Sequence, residues 1–186
     1  MKVYKLRPDT KYRLMYPESK VYQSDLWDFH GDTLAGKLMN FNAHFEKDSN
    51  EPIPDIAYIG MATFAFREDV AEELADILEG IGELLPFSVD GQTWYALNVT
   101  TSIDALDDEN STYLINTGAI KLNLVEFVFF KDKLTNATTF KIPQDNHTEI
   151  FCCDNQESDD DILNNLFCAI HGKGYTGISF EEVSEV

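Results

Sequence analysis

A chain of 186 residues, 44% apolar and 12% aromatic, is long enough to bury one sizeable core and too short for two ordinary domains joined by a linker. Its 33 Asp and Glu outnumber 14 Lys and Arg to give a formal net charge of -19. That balance argues against nucleic acid or an anionic membrane as a partner, since both are bound through clustered cations, and it would attract a basic protein. No run approaches the roughly 20 apolar residues of a membrane span, and the first residues lack the apolar core of a signal peptide, so a soluble, cytoplasmic protein is expected. On composition alone, solubility is the simpler reason for so much acid.

Val3, Tyr4 and Leu6 make a short first strand closed by Pro8, and Lys20 to Gln23 is a second strand candidate. From Ser24 to Asn50 the pattern has no period. Trp27, Phe29, Leu34, Leu38, Phe41 and Phe45 are scattered among glycines and asparagines, and a stretch of that length should pack against the rest. Pro52 and Pro54 then forbid a helix and favour an extended entry. Residues 1–186 are therefore read as a single domain, with 1–50 an irregular N-terminal subregion and 51–186 the main body.

Asp55 to Gly60 and Met61 to Phe66 suit one or two strands. Glu68 to Gly80 is the clearest helix, because Val70, Leu74, Ile77, Leu78 and Ile81 fall on one stripe and Glu72, Glu73, Asp76 and Glu79 cover the outside. Gly80 and Gly82 end it. Leu84, Leu85, Phe87 and Val89, the turn dipeptide Asp90-Gly91, and the β-branched and aromatic run Thr93 to Thr101 read as a hairpin at the centre of the fold.

Ala119 to Phe130 is one long strand or two short ones, its nearly continuous apolar run suggesting burial on both faces. Thr138 to Ile142 and Glu149 to Cys153 are further strands around a turn at Pro143 to Asn146. Ser158 offers an N-cap for a second helix carrying Ile162, Leu163, Leu166, Phe167 and Ile170, with Gly172 as its stop, and Gly174 to Val183 closes with a strand. This order predicts an α+β fold: a largely antiparallel sheet with two amphipathic helices and an irregular N-terminal segment.

Candidate chemistry is sparse. Asp104, Asp107, Asp108 and Glu109 gather carboxylates in one short stretch, but the glycine and distal glutamate of a calcium loop are missing, and a solvated turn with Asp side chains capping backbone amides is the better reading. Asp159, Asp160 and Asp161 suit the first turn of a helix without any ligand. Of the three cysteines, Cys152 and Cys153 are adjacent, so on a strand they face opposite ways, and with Cys168 they have no zinc-ligand spacing; inert, buried thiols are expected. No metal or cofactor is expected, and hydrolase, zinc-protease and nucleotide-binding signatures are absent. Trp94 and Tyr95 are neighbours on a strand, so one joins the core and the other is a candidate contact residue.

Four segments together resemble a bacterial family of small proteins predicted to be immunity proteins of polymorphic toxin systems. They are PIPDIAYIG at Pro52 to Gly60, the helix ending at Glu83 to Pro86, Tyr95 to Val99 leading into Asp104 to Ser111, and TGISFEEV at Thr176 to Val183. The resemblance runs from about Pro52 to Val183. It implies a cytosolic, non-enzymatic protein that binds and blocks a cognate toxin, and the acidic balance fits a basic toxin. The resemblance names no contact residues; the acidic and aromatic positions offered for such a surface are Trp94, Asp104, Asp107, Asp108, Glu109, Asp159, Asp160 and Asp161. The alternative is an enzyme with a pocket covered by residues 24–50.

Overall fold

The computed structural model describes residues 1–118, 120–155 and 165–186. In chain order the elements are β1 (Lys2–Pro8), β2 (Met15–Pro17), the single turn α1 (Ser19–Tyr22), β3 (Asn42–Phe45), β4 (Ile56–Gly60), β5 (Thr63–Arg67), α2 (Glu68–Glu73) and α3 (Ala75–Ile81). They continue with β6 (Gly82–Val89), β7 (Gln92–Val99), β8 (Thr112–Asn116), β9 (Lys121–Glu126), β10 (Thr139–Phe140), β11 (Phe151–Cys153), α4 (Leu166–Lys173) and β12 (Ile178–Glu185). The strands form a six-stranded sheet in the order β2-β3-β6-β7-β5-β4, a four-stranded sheet in the order β10-β11-β1-β12, and a separate β8-β9 ribbon. Every pairing between these strands is antiparallel except that of β3 with β6, so the α+β, largely antiparallel reading is correct.

The expected central hairpin is β6-β7. Asp90 (φ 50°) and Gly91 (φ 80°) supply the two left-handed residues of its turn, and the register runs from Val89 opposite Gln92 to Gly82 opposite Val99. Because side chains alternate across a strand, β7 feeds two cores. Trp94 and Ala96 pack with Phe87, Val89 and the aromatic anchors of the N-terminal segment. Leu97 and Val99 pack on the other side with the helices and with the inner face of the four-stranded sheet, including Leu6, Ile150 and Cys152. The outer face of that smaller sheet carries Val3, Phe140, Phe151 and Cys153 into a third cluster with Phe127 and Phe129. The molecule is thus layered as core, large sheet, core, small sheet, core.

The segment from Ser24 to Asn50 packs as expected, with Trp27, Phe29, Leu34, Leu38, Phe41 and Phe45 all buried. Polar groups stitch it down. Glu83 and Asn98, opposite one another on β6 and β7, reach across together: the Glu83 carboxylate accepts from the Leu34 and Ala35 backbone N–H at 2.9 and 3.3 Å, while the Asn98 amide donates to the Asp32 carbonyl at 2.8 Å. Lys141, 1% exposed, donates to the carbonyls of Phe29 and His147, and burial pushes its ammonium down to about 8. The Ser102 hydroxyl and His147 Nε2, 2.8 Å apart, complete the knot.

A second clamp joins the two sheets. The Asp55 carboxylate accepts from the Thr176 N–H and hydroxyl at 3.0 and 2.7 Å and pairs with Arg67 at 2.9 Å. Gly177, at φ 96°, lies so close to β4 that a Cβ there would come within 2.1 Å of the Ile56 carbonyl oxygen.

Several expectations are corrected. Lys20 to Gln23 is not a strand: the N–H groups of Val21 and Tyr22 both return to the Glu18 carbonyl, closing the helical turn α1. The helix after Glu68 is interrupted at Leu74 (φ -102°, ψ 11°), although its whole apolar stripe is buried. The last helix stops at Gly174, whose N–H caps the Ile170 carbonyl, not at Gly172. Its expected start at Ser158 lies outside the described residues. The run after Ala119 is not buried on both faces, because among the described strands β9 pairs only with β8 and leaves Leu122 and Val125 51% and 53% exposed.

Candidate partner-binding surface

The expected acidic stretch is one ordered turn. The Asp107 carboxylate accepts from the Glu109 and Asn110 N–H groups, each at 3.2 Å, and from the Asn110 amide at 2.7 Å. The Asp107 main chain binds Ser111 and Val128, which fixes the turn to the extended residues that follow the ribbon. This is the capping role the sequence suggested. The hydrogen bond from Asn110 holds the Asp107 carboxyl below the usual carboxylate range, so it is ionised at neutral pH.

Asp108 does something the sequence did not reveal. Its carboxylate takes both the Tyr113 hydroxyl of β8 and the Lys121 ammonium of β9, and Lys121 Nζ also reaches the Asp108 carbonyl at 3.0 Å. The acidic turn therefore lies along the ribbon and grips both strands, Tyr113 near the open end and Lys121 beside the hairpin turn. Lys121 and Tyr113 depress the Asp108 carboxyl further, and burial beside that anion raises the Tyr113 phenol. Asp108 is an ion-paired anchor, while Asp104 and Glu109 stand exposed, Asp104 tethered by Gln144 and Lys133.

The remaining candidates separate from this surface. Trp94 is 1% exposed and packs edge-on to Phe45 in the second core, so its place on a contact surface is withdrawn: of the two neighbours on β7 it is the inward one, and Tyr95 is itself half-buried. Asp159, Asp160 and Asp161 lie outside the described residues. Cys152 and Cys153 do face opposite cores; burial pushes the Cys153 thiol up to about 12 and the Cys152 thiol well above its ordinary value, which leaves neither as a thiolate. Among the described residues no three His, Cys, Asp or Glu side chains gather as a metal site.

The lid imagined over a pocket is also corrected. Residues 24–50 are held by side chains that fill the core beneath them, leaving the segment as a wall of that core. A groove of about 570 Å³ lies between β2 and β4, lined by Tyr16, Tyr22, Tyr58 and Met61 among others, the segment lending it His44.

β9 falls within the strand expected after Ala119, but the expectations leave out β8 and with it the ribbon. Its signal was present: Tyr113 to Asn116 and Lys121 to Val125 are short β-prone runs on either side of Thr117-Gly118, and the ladder closes across that turn with Asn116 opposite Lys121.

Comparison of the sequence with known families gives the class of this two-layer sheet protein: residues 84–185 match the Immunity protein family (Imm11). That is more than half of the chain, and the protein belongs to this family. The match starts within β6 and runs through the acidic turn, the ribbon and β12, whereas the groove between β2 and β4 lies outside it. Membership implies a protein partner, a toxin. No curated protein matches the chain. No helix among the described residues is long and apolar enough to cross a membrane.

Proposed function

We propose that this protein neutralises a cognate basic toxin in the cytoplasm by binding and covering it, without catalysis. The observation that carries the reading is the family match, whose residues include the acidic turn from Asp104 to Glu109. The charge supports it: a chain with a net charge of -19 accelerates encounter with a basic domain and repels acidic proteins. Asp104, Asp107 and Glu109 are the carboxylates of that turn that meet the partner, and Asp159, Asp160 and Asp161 add to the same field.

A pull-down of the tagged protein from the organism that encodes it, at low and then high salt, tests the reading. One dominant basic protein is expected, weakened by salt and toxic when expressed without this chain. A retained protein that is harmless alone, or no retained protein at either salt, would contradict it.

A further inference from the structure

Seven of the thirteen large apolar side chains that are exposed among the described residues fall between Leu114 and Phe130. On the ribbon itself Leu114 is 70% exposed, and Ile115, Ile120, Leu122 and Val125 also face solvent. Scattered surface leucines need no explanation, but a contiguous apolar ribbon with two unpaired edges is a hazard that folded proteins ordinarily cover or charge. Among the described residues no further strand covers this ribbon, and its acid, Glu126, accepts from the Thr112 hydroxyl. The ribbon's lysine, Lys121, is turned back onto Asp108, and among the described strands β8 and β9 pair with nothing but each other.

The ribbon is nevertheless held firmly along its length. Asp108 grips both strands, Ser111 Oγ accepts from the Val128 N–H at 3.0 Å, and Leu124 packs on the third core. A preorganised arm of this kind presents apolar side chains without the ordering cost of a loose loop. We propose that the β8-β9 ribbon is the apolar anchor of the toxin-docking surface. It seats in an apolar cleft of a toxin whose basic rim is met by Asp104, Asp107 and Glu109.

The composition of that surface, an apolar centre beside exposed carboxylates, is the core-and-rim pattern of protein interfaces. It also argues against a second copy of this chain as the occupant. A two-fold pairing of ribbons would bring acidic turns together, on two chains that each carry a charge of -19. The groove between β2 and β4 is lined by no acidic residue and lies outside the family match. The inference rests on the toxin-binding reading and deepens it.

The test places a photoreactive benzophenone amino acid at Leu114 or at Leu122, with Met61 in the groove as the control, in the full chain expressed in the organism that encodes it. Irradiation is expected to join both ribbon positions, and not Met61, to one basic protein that is toxic when expressed alone. The double variant Leu114→Ser, Leu122→Ser should then melt like the parent yet bind that toxin at least about 30-fold more weakly, as loss of two anchoring side chains implies.

Adducts at Met61 alone, adducts between two copies of this chain, or no adduct at either ribbon position would overturn the ribbon's role. So would a double variant that protects cells as well as the parent does, and that result would leave the toxin-binding reading standing. Failure of the parent chain itself to protect against the cross-linked protein would overturn both.

Discussion

Two hairpins follow one another along this chain and share a composition, yet they end in opposite surroundings. The first, β6-β7, is buried on both faces between two cores and carries Trp94, Leu97 and Val99 with almost no exposure. The second, β8-β9, is nearly as apolar and is largely exposed. Burial of the first gives the fold its stability; exposure of the second adds none. Apolar side chains that contribute nothing to folding point to a use outside the monomer, and the toxin docking proposed above would supply it.

The largest effects should come from the first hairpin and its neighbours. Trp94→Ala would leave a cavity between β7 and the N-terminal anchors and should cost about 3–5 kcal/mol in denaturant titration. Gly177→Ala forces a methyl group against the Ile56 carbonyl and requires a left-handed residue, so a loss of about 3 kcal/mol is expected by the same measurement.

Lys141 gives a smaller effect with a sign. Its ammonium titrates near 8 in the fold against an ordinary value of 10.5, so between those values the unfolded chain binds the extra proton. The contribution of Lys141 to stability is therefore full above 10.5, falls as pH drops through the window and is lost below about 8. Relative to Lys141→Met, the parent should gain about 2 kcal/mol between pH 7.5 and 9.5, at no more than about 1.4 kcal/mol per pH unit. An unchanged difference across that range would show that the buried lysine does not titrate there.

The smallest effect on folding belongs to the ribbon. Leu122→Ser, at a side chain already in water, should change stability by less than about 0.5 kcal/mol. A loss comparable to that of Trp94→Ala would erase the contrast between the hairpins.

What could be read from sequence follows from what periodicity encodes. The Asp90-Gly91 turn, the stripe from Val70 to Ile81 and the strand at Val3 to Leu6 carry local signals, and all appear in the structure. Burial carries no such signal. Phe127 and Phe129 are buried while Leu122 and Val125 are not, because the deciding fact is which strand lies alongside, and among the described strands β9 has only β8. Trp94 was misplaced for the same reason: alternation separates it from Tyr95 without saying which face is the deeper. The acidic turn was legible as carboxylates and as backbone caps, but the grip of Asp108 on Tyr113 and Lys121 depends on the ribbon, which had not been recognised. Several residues of the family-like segments, Asp55, Glu83, Asn98, Thr176 and Gly177, turn out to clamp the fold.

Hydrogen-deuterium exchange on the purified protein, alone and bound to the toxin it neutralises, puts the contrast between the two hairpins to the most direct test. The account predicts that amides of Thr112 to Glu126 slow markedly on binding, while those of β6-β7, already protected, do not change. Unchanged exchange in the ribbon, with new protection along Met15 to Pro17 and Ile56 to Gly60, would place the toxin in the groove and contradict it.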